Sequence, residues 1–251
     1  MDYLSIKHPH PLDERIKFDE PTHTYTIDGD AGYMSVTTWV HSHFSKFDSD
    51  KIIDKMMTGR NWSSSKYFGK SKDEIKMMWE ENRDLAAKSG TELHLDIEKF
   101  YNNETHSNIS LEYQQFSNFV KDSSLTPYRT EWTIFDKELK IAGSIDITFI
   151  LPDGTLMIYD WKRSKGIIRN SPYETYSTTE CITHLPDTNF WHYALQLNMY
   201  KTILERNYDK KIGKLCLVCL HPDQKTYKIF DVPELDYEIS ELINVRKKQI
   251  E

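Results

Sequence analysis

Apolar and polar positions follow two periods along the chain. Apolar runs at Ile141–Leu151 and Leu156–Trp161 flank the turn tripeptide Pro152-Asp153-Gly154, which predicts a β-hairpin. Tyr128–Phe135 reads as a strand leading into it, and Lys214–Leu220 and Thr226–Val232 as two more around His221-Pro222-Asp223. Apolar residues at helical spacing predict helices over Val36–Phe44, Lys51–Thr58, Lys72–Asn102, Leu111–Lys121, Asn189–Arg206 and Tyr237–Ile250. Ser35 and Asp50 are placed to cap the first two, and Gly59 to end the second. Ser89-Gly90 predicts a break in the third, with Thr91 capping a remainder striped by Leu93, Ile97 and Phe100. Tyr113, Phe116, Phe119 and Val120 make the apolar face of the fourth. Residues 16–36 predict a small hairpin, and Gly59–Gly69 and Ile167–Pro186 are polar and irregular enough to be loops.

From residue 86 the order is helix, helix, three strands, helix, two strands, helix. That order predicts an α/β (α+β) fold with a central mixed sheet flanked by helices. The expected division is an N-terminal hairpin and helical extension over 1–85 and a core over 86–251.

Composition adds bounds. With 251 residues, 38% apolar and 28% charged, the chain can bury one core with a small accessory lobe. No apolar run approaches the ~20 residues of a membrane span. The opening MDYLSIKHPHPLDERIKF lacks a signal or transit layout, so an intracellular, soluble protein without membrane partners is expected. The 3 cysteines fit a reducing compartment. Cys216 and Cys219 form a C-x-x-C inside the apolar run KLCLVCLHP and read as core thiols, while Cys181 leaves a zinc or iron–sulfur set one ligand short. A formal charge of −7 argues against a protein that coats nucleic acid, but Lys162, Arg163, Lys165 and Arg169 form a local basic strip.

The chemistry concentrates in the hairpin. Strand alternation sets Asp146 opposite Ile145 and Ile147, and puts Asp160 and Lys162 on one face with Trp161 on the other. Burying these groups costs several kcal/mol, of the order known for unpaired charges, unless they pair or bind a cation. Two readings follow. One is a buried Asp–Lys ion pair. The other is a site in which two carboxylates hold a hard divalent ion such as Mg²⁺. Lys162 would then orient or help deprotonate an attacking water and neutralise charge on a phosphoryl group.

Other residues carry similar pairs of readings. His94, at the edge of a helical stripe, is a hydrogen-bonded structural histidine or an imidazole ligand acceptable to Mn²⁺. Gln196 and Tyr200, four apart on a helix, contact a phosphate or orient Lys162, or else are boundary and core. Glu131 is a third carboxylate for the site, a partner for Lys162, or an exposed strand residue. Ser35, Thr37 and Thr38 form a helix N-terminus that suits a phosphate as well as a simple cap. Trp39, Trp62, Tyr67 and Phe68 stack on unpaired bases or fill the core.

In order, GTELH, EW, GSID, YDWK and QLNMY resemble the motif set of the RecB-like branch of the PD-(D/E)XK nuclease superfamily, from about residue 22 to residue 220. The SVTT segment makes the chain most similar to the mitochondrial genome maintenance exonuclease group. The resemblance implies a restriction-endonuclease-like core. It implies His94, Asp146, Asp160 and the Trp161 carbonyl as metal ligands and Lys162 as the catalytic lysine. Gln196 and Tyr200 match the family's helical Q-x-x-x-Y, and Glu131 its glutamate on the preceding strand. Implied with these are Mg²⁺ or Mn²⁺ as cofactor, DNA as partner, and exonuclease action on single-stranded ends. The basic strip, the Ser35–Thr38 segment and Tyr200 would touch nucleic acid, and the Gly59–Gly69 and Ile167–Pro186 loops would thread or cover the strand. Ile145 stands where the superfamily name has proline, and the cysteines of iron–sulfur relatives are missing, so no cluster is expected. An endonuclease of this fold on branched or duplex DNA, and a silent nucleic-acid-binding module, are the alternatives.

Overall fold

A computed structural model describes residues 2–171 and 173–250. The N-terminal helix α1 (Tyr3–Lys7) precedes a hairpin, β1 (Ile16–Asp19) and β2 (Thr24–Ile27). A two-residue strand β3 (Met34–Ser35) runs directly into α2 (Val36–His41), whose first turn is closed by Ser35 accepting the Thr38 N–H. Then come α3 (Ser49–Met57), α4 (Lys72–Tyr101), α5 (Leu111–Asp122), the strands β4 (Thr126–Asp136), β5 (Ile141–Ile150) and β6 (Leu156–Arg163), helix α6 (Asn189–Asn207), strands β7 (Ile212–Leu220) and β8 (Lys228–Asp231), and α7 (Asp236–Ile250).

The sheet is mixed. Its path is β3-β5-β6-β7-β8 with β4 paired to β5; β4–β5, β5–β6 and β7–β8 are antiparallel, β6–β7 and β3–β5 parallel. Helix α6 makes the crossover that the parallel β6–β7 pair requires. One face of the sheet packs Phe149, Tyr159, Trp161 and Val218 on Leu93 and Ile97 of α4 and on Phe116 and Phe119 of α5. The other packs Ile141, Ile158 and Leu217 on α2, α6 and α7. Cys216 and Cys219 are both fully buried, and a spacing of three puts them on opposite faces of β7, so the pair cannot close on one metal ion.

Contacts divide the chain into two compact units, one of Met1–Ser45 with Leu93–Glu251 and one of Lys46–Glu92. The sequence division at residue 85 does not coincide with these units. Within the smaller unit, Ile53, Tyr67 and Ile75 form a core, Trp79 Nε1 donates to the Tyr67 hydroxyl at 2.8 Å, and Lys72 and Lys76 pair with Asp50. Asp50 is therefore not the cap of α3. Asp48 is, accepting the Lys51 N–H at 3.0 Å. Nor does α4 break at Ser89-Gly90: it runs 30 residues without interruption. A glycine costs a helix about 1 kcal/mol relative to alanine, too little to split one this long. Phe100 ends the expected stripe exposed, and Val120 is only half-buried.

The segment after α2 is pinned to the Ile167–Pro186 loop, of which Pro172 lies outside the described residues. The His43 carbonyl accepts from Ser177 Oγ (2.7 Å) and Thr178 N (3.0 Å), and its Nδ1 lies 3.0 Å from Thr179 Oγ1. Burial pushes the His43 imidazole down to about 4. Its neutral form thus contributes stability that is complete above the unfolded value near 6.5 and is lost as the pH falls toward 4. Unfolding in denaturant should cost about 2–3 kcal/mol less at pH 4.5 than at pH 7 through this residue, and His43→Gln should remove that part of the loss. Equal acid sensitivity in the two proteins would contradict the assignment.

Candidate active site

β4 pairs with β5 along its whole length, so β3 and β6 must share the other edge of β5. β6 pairs only as far as Ile147↔Tyr159, and β3 only with Ile141 and Ala142. Between them the edge of β5 from Gly143 to Asp146 is left open. The side-chain pattern changes there too: Ile145 packs with the α2 and α6 side of the sheet, Ile147 with the α4 and α5 side. The expected placement of both isoleucines on one face is corrected accordingly. The strand turns at Asp146, whose carboxylate enters the gap.

Asp146 Oδ2 accepts the Trp161 N–H at 2.8 Å, replacing the ladder bond lost where the strands part. His94 reaches the same point from α4. Its Nε2 is 3.0 Å from the Trp161 carbonyl oxygen and its Nδ1 is 3.6 Å from Asp146 Oδ2. Glu131, opposite Asp146 on β4, accepts from Ser144 Oγ at 3.0 Å and does not pair with Lys162. Its backbone sits at φ +41°, a left-handed conformation that a non-glycine residue in mid-strand adopts only under constraint. His94, Glu131 and Asp146 each offer a ligand atom, all within 4.8 Å of one another.

Asp160 lies outside that cluster, 2% exposed on the neighbouring stretch of β6. Lys162 Nζ approaches its Oδ2 at 2.7 Å, yet the angle is poor enough that this buried oxygen has no true hydrogen bond. Lys162 also lies over the Tyr193 ring, 4.4 Å from its centroid. Burial and the Asp146 charge push the Asp160 carboxyl up to about 6 despite Lys162. Burial, then Asp146 and Glu98, raise Glu131 well above the usual carboxylate range. Burial opposes the charge on Lys162, but Asp160 and Asp146 outweigh it, so the amine is held as an ammonium.

These residues fit a divalent cation. Three carboxylates, that of Asp160 buried, crowd the gap with one ammonium among them, and the Asp160 Oδ2 that the ammonium approaches lacks a hydrogen-bond partner. His94 Nε2 and the Trp161 carbonyl oxygen, 3.0 Å apart, are close enough that both could serve one cation. Carboxylate and carbonyl oxygens with one imidazole suit Mg²⁺ or Mn²⁺.

On α6, Gln196 Nε2 donates to the Tyr200 hydroxyl at 3.1 Å, and Tyr200 is buried against β5. Gly143 makes that approach possible, because a Cβ there would stand 2.6 Å from Tyr200 Cε1 and 3.2 Å from its hydroxyl. Gly143→Ala should destabilise the protein by about 1–3 kcal/mol through overpacking, measured by denaturant unfolding. A loss under ~0.5 kcal/mol, the range of ordinary surface changes, would contradict this packing.

The remaining expected residues divide. Ser35 and Thr38 are engaged in the cap of α2, and Thr37 is exposed beside them. Tyr200 and Trp39 are core, Tyr67 is buried in the smaller unit, and Phe68 is exposed. Arg163 is committed to Glu112 of α5 at 2.7 Å, which leaves Lys165 (paired with Asp223 at its exposed end) and Arg169 (over the Phe190 ring) as the accessible part of the strip. Two residues of the site escaped sequence reasoning. Ser144 is two before Asp146 on the same strand, and Tyr193 is one helical turn before Gln196; both periodicities were available as signals.

No family model and no curated protein matches the chain. Among solved structures it is similar to SSO0001, with 13% identity over 88% of this chain and 78% of that one and a TM-score of 0.38. It is also similar to the alkaline exonuclease LHK-Exo from Laribacter hongkongensis (12%, 84% and 91%, TM-score 0.36) and to a candidate exonuclease from Eubacterium rectale (12%, 87% and 79%, TM-score 0.38). A likeness this distant decides neither chemistry nor substrate, and both rest on the residues of the site.

Proposed function

We propose that the protein is a divalent-metal-dependent deoxyribonuclease. The observation that carries this reading is the gap between β5 and β6, where Asp146, His94 and the Trp161 carbonyl converge beside Glu131, Asp160 and Lys162. His94, Asp146, Asp160 and the Trp161 carbonyl would hold Mg²⁺ or Mn²⁺, with Glu131 as a further carboxylate. Such an ion supplies a Lewis acid that polarises a phosphoryl oxygen and lowers the pKa of a bound water. Lys162, kept as an ammonium, places a positive charge against the phosphate and orients the attacking water by donating to it; a base role does not suit an amine held charged. Gln196, bonded to the Tyr200 hydroxyl, and Tyr200, packed on Gly143, support the open edge of β5 from α6. Lys165 and Arg169, both exposed, give phosphates a basic approach.

The preferred substrate in this reading is a single-stranded DNA end. Incubating end-labelled linear DNA and a closed single-stranded circle with Mg²⁺ or Mn²⁺ tests it: the linear strand shortens and the circle survives. A cut circle moves the assignment to an endonuclease. Binding of DNA with no cleavage of either leaves a binding module. No helix among the described residues is long and apolar enough to cross a membrane.

A further inference from the structure

Lys162 has a partner that neither the metal cluster nor the helical Gln-Tyr pair explains. Tyr193 lies in α6, three residues before Gln196 and seven before Tyr200, so the three share one face of the helix. Its ring face is 4.4 Å from the Lys162 ammonium. The other contact of the amine is Asp160, at 2.7 Å but badly aligned.

Resting on the nuclease reading, we propose that Tyr193 is a positioning residue, whose ring face holds the Lys162 ammonium in the site. The chemistry of the site explains why a ring serves here. Asp160 must answer to the bound cation as well as to the amine, so it cannot by itself fix a four-carbon side chain. A second carboxylate would hold the amine firmly, but it would compete for the ion and repel the incoming phosphate. An aromatic face attracts the ammonium through its quadrupole and does neither. It also covers one side of the amine from water, and leaves the N–H bonds on the other side free for substrate.

The test compares wild type with Tyr193→Phe and Tyr193→Leu on single-stranded DNA at saturating metal. Tyr193→Phe keeps the ring and should stay within about threefold of wild-type kcat. Tyr193→Leu frees the amine, and a catalytic group displaced by about 1 Å costs up to ~100-fold, so kcat should fall ~30–100-fold with KM within about twofold. A leucine variant with wild-type kcat, a phenylalanine variant as impaired as leucine, or a change confined to KM overturns the proposal. A second readout does not depend on cleavage. The ε-CH₂ protons of Lys162, assigned by their loss in Lys162→Met, should be shifted upfield by the ring in wild type and Tyr193→Phe and return to ordinary values in Tyr193→Leu. Absence of that shift in the wild-type protein rejects the placement. If the shift is present and no substrate is cleaved, it is the nuclease reading that fails.

Discussion

Lys162→Met is expected to lower DNA cleavage by about 10²–10³-fold, the usual cost of removing one preorganised charge at a developing anion. It is also expected to destabilise the protein at neutral pH. Lys162 is the cation that offsets Asp160, and removing one partner of a buried pair costs about 3–5 kcal/mol when the other must stay charged. Asp160 escapes part of that cost by taking a proton. Its carboxyl already titrates near 6 beside the lysine, so without the lysine it titrates higher. A carboxyl raised on folding contributes stability that is present in acid and lost as the pH climbs through the folded value. The deficit of the variant should therefore be greatest above neutrality, about 2–4 kcal/mol, and shrink on acidification. Denaturant unfolding of both proteins between pH 5 and 8 measures it. A deficit that is flat with pH, or that grows in acid, contradicts the pairing.

Glu131→Gly is expected to separate stability from function. The glutamate holds a left-handed backbone in mid-strand and a buried carboxyl facing Asp146 and Glu98. Strain of that kind costs about 1–3 kcal/mol, and glycine removes it for about 0.5–1 kcal/mol of added chain entropy. In EDTA the variant should thus be more stable by about 1–2 kcal/mol, a rise of several degrees in Tm for a chain of this size. Because the carboxyl is raised on folding, the advantage should widen as the pH rises. The rise in Tm produced by Mn²⁺ should shrink, and cleavage should fall at least tenfold. A variant less stable than wild type in EDTA, with an unchanged response to Mn²⁺, would show that Glu131 is an ordinary strand residue.

Locally coded features were legible in the sequence. The Asp153-Gly154 turn and its flanking runs predict β5 and β6 to within two residues at either end, and alternation alone puts Asp160 and Lys162 on one face. The features that escaped depend on partners far along the chain. Asp146 turns into the gap because β6 leaves β5 there and β3 takes up the edge beyond; β3, only two residues long, carries no periodic signal. Arg163 looks like a phosphate contact until Glu112 appears beside it from α5. Asp50 reads from the sequence as the cap of α3, but lysines one turn apart on α4 pair with it and Asp48 takes that role. The left-handed Glu131 has no sequence mark, since glycine or asparagine would be expected at such a position.

Phosphodiester hydrolysis with a divalent ion that the carboxylates of the β5–β6 gap would hold is the proposed activity. Its most direct test is cleavage of labelled single-stranded DNA by wild type and Asp160→Asn, each in Mn²⁺ and in EDTA, with Mn²⁺ binding measured calorimetrically on the same samples. Cleavage is expected only from wild type with Mn²⁺, together with weakened or lost Mn²⁺ binding in the variant. Cleavage by wild type in EDTA, or by Asp160→Asn at the wild-type rate, would contradict it.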